Sequence, residues 1–197
     1  MAKDADEGTD ISGEMIVVPM ERLARLMRSG EHGGGLNPAQ REALRFLARA
    51  NRFSNSPGAL TRYLGATKGT ISQTLMALER KGFIGKAARD GEKRSVALVL
   101  TAKGEDALTR DPWSKLANAA EDLGGKTRRR LAKGLRDLLA QELQRGEHLS
   151  FGLCASCRFF RERGREDDPK GPHHCMFFDV PLSATESRKI CVEHEAG

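Results

Sequence analysis

Apolar residues in the first three quarters of the chain recur mostly at the three- and four-residue spacing of an amphipathic helix. This spacing predicts a helix that ends before Gly30, three short helices between Pro38 and Lys81, another that starts at Thr101, and a long one over about 126–145. Residues 1–14 are polar and acidic, which predicts a flexible tail. The apolar positions that define the main helices are Met20, Leu23, Ala24, Met27, Ala43, Leu44, Leu47, Ala48, Leu60, Leu64, Ile71, Leu75, Leu78, Leu131, Leu135, Leu138, Leu139 and Leu143.

Capping residues define the ends of the three helices between Pro38 and Lys81 more closely. Asn37-Pro38 and Ser56-Pro57 each place a capping side chain before a proline suited to the first helical position. Thr67 caps the helix Lys68–Lys81, which Gly82 ends. The arginines of the first of these helices, together with Arg52 just beyond it, are expected on its outer surface; they are Arg41, Arg45, Arg49 and Arg52.

A β-hairpin follows the third of these helices. Phe83-Ile84 and the run Ser95–Leu100 are separated by a segment that contains Asp90-Gly91, a strong turn signal between extended segments. Short helices followed by such a hairpin make a winged helix-turn-helix. The predicted fold is therefore mainly α with a small β-hairpin wing and a long dimerisation helix, over residues 15–146.

Charge is concentrated in the same region. The whole chain carries a formal charge of +6, and residues 41–101 alone contain twelve lysines and arginines against four acids. A basic patch of this kind on a folded domain is typical of a polyanion partner, most often nucleic acid. Charge alone leaves open a merely solvated basic surface.

The helix over 68–81 has a face suited to a DNA groove. Ile71, Leu75 and Leu78 share its buried face, which leaves small and hydrogen-bonding residues on the other side. Gln73 can bond an adenine edge and Ser72 can reach a base or a phosphate, whereas Arg80, Lys81 and Lys86 suit phosphates. The predicted DNA-binding residues are Lys68, Gly69, Thr70, Ser72, Gln73, Met76, Arg80, Lys86, Lys93 and Arg94.

The segment from Leu36 to Gly104 resembles the MarR (multiple-antibiotic-resistance regulator) family. The resemblance rests on the runs 70–84, 89–95 and 100–104, about a third of the chain. It implies that Arg94 enters the minor groove at the wing tip, oriented by Glu92. Lys93 departs from the arginine common in the family, which keeps a phosphate contact but loses bidentate geometry.

The resemblance also implies a homodimer built from the first and last helices. Independently, the apolar stripes at Met20–Met27 and 131–143 lack an obvious partner within so small a domain. A two-fold dimer predicts double-stranded DNA as the partner, with a pseudo-palindromic operator whose half-sites lie about one helical turn apart.

The chain's four cysteines all lie in a different kind of segment, residues 150–197. Cys154-x-x-Cys157 is followed after 17 residues by Cys175 and after 15 more by Cys191. Five of the eight phenylalanines share this stretch. Clustered cysteines without a secretion signal favour a metal over disulfides, and a module this small needs such a staple. Unmetallated core cysteines stay an alternative.

The spacing favours an iron–sulfur cluster, of the 4Fe-4S type, over zinc. Aromatic pairs follow Cys157 and Cys175 closely, as in high-potential iron–sulfur proteins, where an apolar shell keeps water from the cluster. Zinc ribbons usually have two Cys-x-x-Cys knuckles, and this chain has one. Zinc could also recruit His173, His174 or His194 in place of a cysteine.

Together these features predict a sequence-specific DNA-binding transcriptional regulator whose four-cysteine site senses redox state or iron. One alternative is a regulator of an organic effector with a purely structural zinc site. Another is a Cys/His enzyme, for example with Cys175 and His174 as a pair, but no catalytic or nucleotide-binding motif supports it. No apolar run approaches the roughly 20 residues of a membrane span, and a cytoplasmic location is expected.

Overall fold

The computed structural model describes residues 11–31, 34–89, 92–145 and 151–196, and the side chains of Arg89 and of residues 92–95 lie outside this description. Its first part is a series of helices interrupted by one hairpin, and its last part consists of short strands and turns. The elements are α1 (Gly13–Ser29), α2 (Pro38–Arg49), α3 (Pro57–Leu64), α4 (Lys68–Arg80), β1 (Ile84–Arg89), β2 (Glu92–Leu100), α5 (Ala102–Thr109), α6 (Pro112–Glu121), α7 (Gly125–Arg145), β3 (Gly152–Leu153), β4 (Phe160–Arg161), β5 (His173–Cys175), β6 (Val180–Leu182) and β7 (Ile190–Cys191).

The predicted helix starts of the helix-turn-helix unit are confirmed. Asn37 forms a capping box with Gln40, and the side chains of Ser56 and Thr67 accept from the backbone N–H three residues on. Gly82 has φ = 75°, the left-handed conformation in which glycine commonly follows a helix. Helix α4 ends at Arg80 and Lys81 is its C-cap, one residue short of the prediction.

The wing is an antiparallel pair of strands, as the sequence predicts. Ile84 pairs with Leu100 and Ala88 with Val96, and the register shifts between Ala88 and Arg89. The predicted turn at Asp90-Gly91 lies outside the described residues. Strand β1 contacts α4 and strand β2 contacts α2, so the wing packs on the helices that precede it.

Of the arginines expected on the surface of α2, Arg41 is buried and Arg45 is largely withdrawn from solvent. Arg45 lies between two buried carboxylates, with Nη1 2.7 Å from Glu31 and 3.0 Å from Asp111. Arg41 donates from Nε to the Glu31 carbonyl. These contacts tie α2 to the end of α1 and to the start of α6, so the helical scaffold depends on them.

The C-terminal segment folds into two small sheets. Strand β3 pairs with β7, and β4, β5 and β6 form a three-stranded antiparallel sheet with β5 in the centre. Two short 3-10 turns complete it, at Cys154–Ser156 and Glu186–Arg188. Below, this segment is called the cysteine module (residues 151–196).

The cysteine module packs directly on the helix-turn-helix unit. Val192 is buried in the same core as Leu44, Leu60 and Leu78. The ring of Phe151 meets Tyr63 edge-on at 5.1 Å between centroids. The module therefore contributes side chains to the winged-helix core.

The first and last long helices are exposed along their apolar stripes. No residue of α1 or α7 is buried within the described chain. Helix α1 also begins at Gly13, earlier than the expected end of a flexible tail at residue 14. None of the described helices is long and apolar enough to cross a membrane. The exposed apolar side chains of the two helices include Met15, Ile16, Val17, Val18, Met20, Leu23, Leu26, Leu131, Leu135 and Leu139.

Candidate nucleic-acid interface and thiol cluster

Helix α4 separates an apolar face from a polar one. Ile71, Leu75 and Leu78 are buried in the core, as predicted. The predicted groove-facing residues of this helix are all exposed: Lys68, Gly69, Thr70, Ser72, Gln73, Met76 and Arg80. The side chains that could reach a base edge and those that could reach a phosphate thus lie on one open surface.

The lysines that follow α4 have different side-chain partners. Lys86, on β1, is exposed and its Nζ lies 2.7 Å from a Glu79 carboxylate oxygen. Lys81, expected at a phosphate, instead donates to the Gly35 carbonyl and to Gln40 Oε1. Lys81 therefore holds the start of α2 to the end of α4. The predicted wing contacts Lys93 and Arg94 lie on β2, and their side chains are outside the described residues.

A second candidate site lies in the cysteine module. All four cysteines line one small cavity, which is partly open to solvent. Each is a free thiol, and Cys154 and Cys191 are buried. The remaining lining is mainly apolar: Phe159, Phe160, Phe177, Phe178 and Leu182, with Glu193. The sequence predicted this convergence of thiols and aromatic rings from spacing alone.

Two of the thiols share a hydrogen bond. The Cys154 thiol donates to the sulfur of Cys191, which lowers the pKa of Cys191 to about 6 and raises that of Cys154. Burial opposes the shift at Cys191 and adds to the one at Cys154. In the metal-free protein, the pair thus favours one thiolate and one thiol.

Buried polar groups from the helix-turn-helix unit reach these sulfurs. Asn51, in the loop between α2 and α3, donates from Nδ2 to Cys154 Sγ at 3.4 Å. A hydrogen bond from Asn51 also lowers the pKa of Cys191, and Ser54 holds that amide in place by donating its hydroxyl proton to Asn51 Oδ1. Sequence reasoning did not identify these two residues, because their partners lie more than 100 positions along the chain.

The three histidines have partners outside the cavity. His194 Nε2 contacts the Ser156 hydroxyl, and burial lowers the pKa of its imidazole. His173 Nδ1 accepts from the backbone N–H of Arg163. His174 Nε2 lies 2.9 Å from Asp179 Oδ1, and this bond lowers the pKa of that carboxyl. None of the three histidines lines the thiol cavity.

The Cys–His pair considered from sequence is not brought together for catalysis. Cys175 and His174 are neighbours on β5, where successive side chains point to opposite sides. Cys175 lines the thiol cavity, whereas His174 contacts Asp179 and Arg165. His174 is therefore not placed to act as a base for the Cys175 thiol.

The thiols are not gathered around one point. Within the described parts of the chain, no three His, Cys, Asp or Glu side chains are grouped as ligands of one metal ion. A single tetrahedral zinc ion needs four ligands at about 2.0–2.3 Å from one centre. A cluster of several irons distributes its four thiolates over separate iron atoms.

Comparison with known proteins concerns the winged-helix part of the chain. Residues 34–95 match the family model described as the MarR family. The HTH-type transcriptional repressor YetL of Bacillus subtilis (strain 168) is 28% identical over 121 residues, which cover 60% of this chain and 72% of that protein.

One solved structure shares the architecture of this part of the chain. A MarR transcriptional regulator from Methanosarcina mazei Go1 superposes with a TM-score of 0.50 at 20% identity, over 66% of this chain and 98% of that one. For MepR, a transcription regulator of the Staphylococcus aureus multidrug efflux pump MepA, the TM-score is 0.48 at 16% identity, over 66% and 98% of the two chains. The Methanosarcina likeness confirms the predicted fold class.

Proposed function

We propose that this protein is a MarR-family winged-helix transcriptional regulator and not an enzyme. We propose further that it binds a pseudo-palindromic operator as a homodimer and carries an iron–sulfur cluster in its thiol cavity. The observation that carries the DNA-binding part is the exposed polar face of α4, opposite its buried Ile71, Leu75 and Leu78. A recognition helix needs this division, because one face must hold the helix in the domain while the other reads the groove.

We assign different work to different residues of that face. Gln73 and Ser72 suit base edges, and Gly69 lets the helix approach them closely. Arg80 and Lys86 suit phosphates, which set position without reading sequence. Because Lys86 is paired with Glu79 in the free protein, its contact with a phosphate requires that this exposed ion pair opens, at small cost. Lys93 and Arg94 of the wing complete the proposed interface.

The exposed stripes of α1 and α7 support the homodimer. A single winged-helix domain gains nothing from leaving Leu131, Leu135 and Leu139 in water, and a contiguous apolar surface of this kind is typical of an interface. The Bacillus relative is named a repressor, and repression by occupying an operator is the direction we propose for this chain.

The DNA-binding proposal is tested with the full-length protein and a duplex selected by it from a random library. Operator affinity should fall steeply as salt rises, because phosphate contacts release counterions. Gln73→Ala should weaken binding to the selected duplex by about 1–3 kcal/mol. The control Thr61→Ala, at a partly exposed position on α3, should not weaken it. Failure to enrich any sequence, or equal binding by the two variants, would contradict the proposal.

The donor set supports a cluster in the cavity. Cys154, Cys157, Cys175 and Cys191 supply four thiols, the number that a 4Fe-4S cluster needs. The phenylalanine rings around them give the site a mainly apolar lining, which suits a cluster that is sensitive to water. When bound, such a cluster supplies a centre that an oxidant such as dioxygen or a peroxide can convert or remove.

The cofactor is tested by purifying the protein without oxygen. A broad absorption band near 400 nm with about four irons per chain is expected from cluster chemistry. Cys157→Ser should lose iron, and Ser156→Ala, a neighbouring exposed position, should keep it. A colourless protein with one zinc per chain would instead establish the structural-zinc alternative.

A further inference from the structure

We propose that Asn51 and Ser54 are positioning residues that couple the occupied thiol cavity to the helix-turn-helix unit of the same protomer. This inference rests on the proposed function, since it assumes a cluster at the four cysteines. It concerns how the site would act on DNA binding, and it places the connection in the loop between α2 and α3, called here the coupling loop (residues 50–56).

The coupling loop is attached to the cysteine module on its inner side by hydrogen bonds. The Asn51 backbone N–H donates to the Ile190 carbonyl at 2.9 Å, immediately before Cys191. The Val192 N–H, immediately after it, donates to Ser54 Oγ at 2.8 Å. A parallel bridge joins Ala50 and Ile190. The segment that carries Cys191 is thus fixed to the loop on both sides of the cysteine.

The Asn51 side chain has one orientation. Its Oδ1 accepts from the Ser54 hydroxyl at 2.7 Å and from the Phe53 N–H at 3.1 Å. Both acceptor contacts require that the amino group points the other way, where it donates to Cys154 Sγ. Asn51 and Ser54 are completely buried, so no water competes for these bonds and breaking them is costly.

The outer side of the coupling loop rests on the same module. Phe53 stacks on Phe178, a ring of the cavity lining, with centroids 4.1 Å apart and planes 14° from parallel. Arg52 bonds Glu186 and the Pro181 carbonyl. A change in the contents of the cavity can therefore act on the loop by two contacts: the Asn51 hydrogen bond to Cys154 and the stacking of Phe53 on Phe178.

The far end of the coupling loop leads into the DNA-binding elements. The Leu98 N–H of the wing strand β2 donates to the Asn55 carbonyl at 2.7 Å. Ser56 caps α3, which packs on the recognition helix α4. A shift of the loop would therefore reach the wing through the Leu98 hydrogen bond, and α3 and α4 through the Ser56 cap.

This route differs from the one that chain order suggests. The cysteines follow the long helix α7 in sequence, which favours a signal passing through the dimer helices to the spacing of the two recognition helices. In the folded chain the cysteines lie against the α2–α3 loop instead. The metal-ligated sulfurs would then act as acceptors only, and the buried donors of the coupling loop would align on them.

The test uses anaerobically reconstituted full-length protein and its metal-free form, with the library-selected duplex as the DNA probe. For the wild type we expect a 5- to 150-fold affinity difference between the two forms, the usual size of such coupling. Asn51→Leu and Ser54→Ala should keep iron but reduce this ratio towards one. The control Ser156→Ala, which lies beside the cysteines without touching the loop, should keep the ratio.

A second readout separates positioning from mere stability. Asn51→Leu removes a donor to a sulfur, and Ser54→Ala removes the hydroxyl that orients that donor. Both should therefore move the cluster's reduction potential to a more negative value, whereas Ser156→Ala should not. In wild-type protein, hydrogen exchange at residues 50–56 should be slower with the cluster than without it, a measurement that needs no variant to fold.

The outcomes distinguish the two levels of the proposal. If wild-type protein takes up no iron, or binds DNA equally in both forms, the cluster-sensing function itself is wrong. If the wild-type ratio is present but both variants retain it at unchanged potential, or if hydrogen exchange in the loop does not depend on the cluster, only the coupling by Asn51 and Ser54 is overturned.

Discussion

At the scale of single residues, Arg45 shows how much one buried charge can hold together. Its guanidinium lies between Glu31, which follows α1, and Asp111, which caps α6. The three side chains are nearly excluded from water. Each charge needs the others, because an unpaired buried ion carries a desolvation penalty of several kcal/mol.

Arg45→Ala should therefore destabilise the protein by about 3–5 kcal/mol, since it leaves two buried carboxylates without their cation. The free energy of unfolding from urea titrations measures this loss. Arg49→Ala, an exposed arginine on the same helix, serves as the control and should change stability by less than about 0.5 kcal/mol. Equal effects of the two substitutions would disprove a structural role for the ion triplet.

Gly104 is a second residue that determines how two elements pack, because it lets α5 approach the backbone at Phe83. A Cβ placed there would lie 2.2 Å from the Phe83 carbonyl oxygen, where the wing meets α5. Gly104→Ala should lower the unfolding free energy by about 1–3 kcal/mol through this overlap. Gly58→Ala, on α3 with nothing within 4 Å of the new methyl group, should instead raise it by about 0.5 kcal/mol. Thermal unfolding of the two variants would reveal the difference in sign.

At the scale of elements, the boundaries of α2, α3 and α4 follow from local chemistry and could be predicted. Their caps at Asn37, Ser56 and Thr67 act within three residues. Helix α6 was not predicted, although Asp111-Pro112 repeats the same cap-and-proline signal. The start of α6 is therefore also encoded by local residues.

Long-range features could not be predicted in this way. The partners of Asn51 and Val192 lie more than 100 residues away, and no local pattern encodes such pairings. The burial of Arg45 likewise depends on carboxylates from two other elements. The four cysteines were an intermediate case, because their shared spacing with aromatic residues indicated one site before the fold was known.

The recognition helix yields a prediction about two kinds of contact. Gln73→Ala should relax sequence preference at one position of the operator, because a bidentate amide contact is lost. Arg80→Ala should weaken binding to all sequences alike and reduce the slope of log affinity against log salt by about 1. Binding to a panel of single-base operator variants at two salt concentrations measures both effects; identical profiles for the two variants would refute the division of roles.

At the scale of the whole molecule, the exposed stripes of α1 and α7 predict how the protomers associate. Leu135→Arg places a charge in the proposed interface and should weaken the dimer about 100-fold. Gln144→Arg adds the same charge at an exposed position nine residues further on, half a turn around α7 from Leu135, and should leave the dimer intact. Sedimentation velocity over a concentration series provides the measurement, and unchanged association of the Leu135 variant would exclude α7 as the interface.

The burial of Val192 beside Leu44 and Leu60 has a consequence for how this architecture can be divided. A fragment that stops after α7 would lose the side chains of Val192 and Phe151. The core residues that pack against them, such as Leu44 and Leu60, would then be exposed to water. The truncated protein should aggregate or unfold at a lower temperature and should not bind DNA as an independent winged-helix domain. For the same reason, fusing the cysteine module to another winged-helix protein would require a recipient whose core has a cavity that fits Val192.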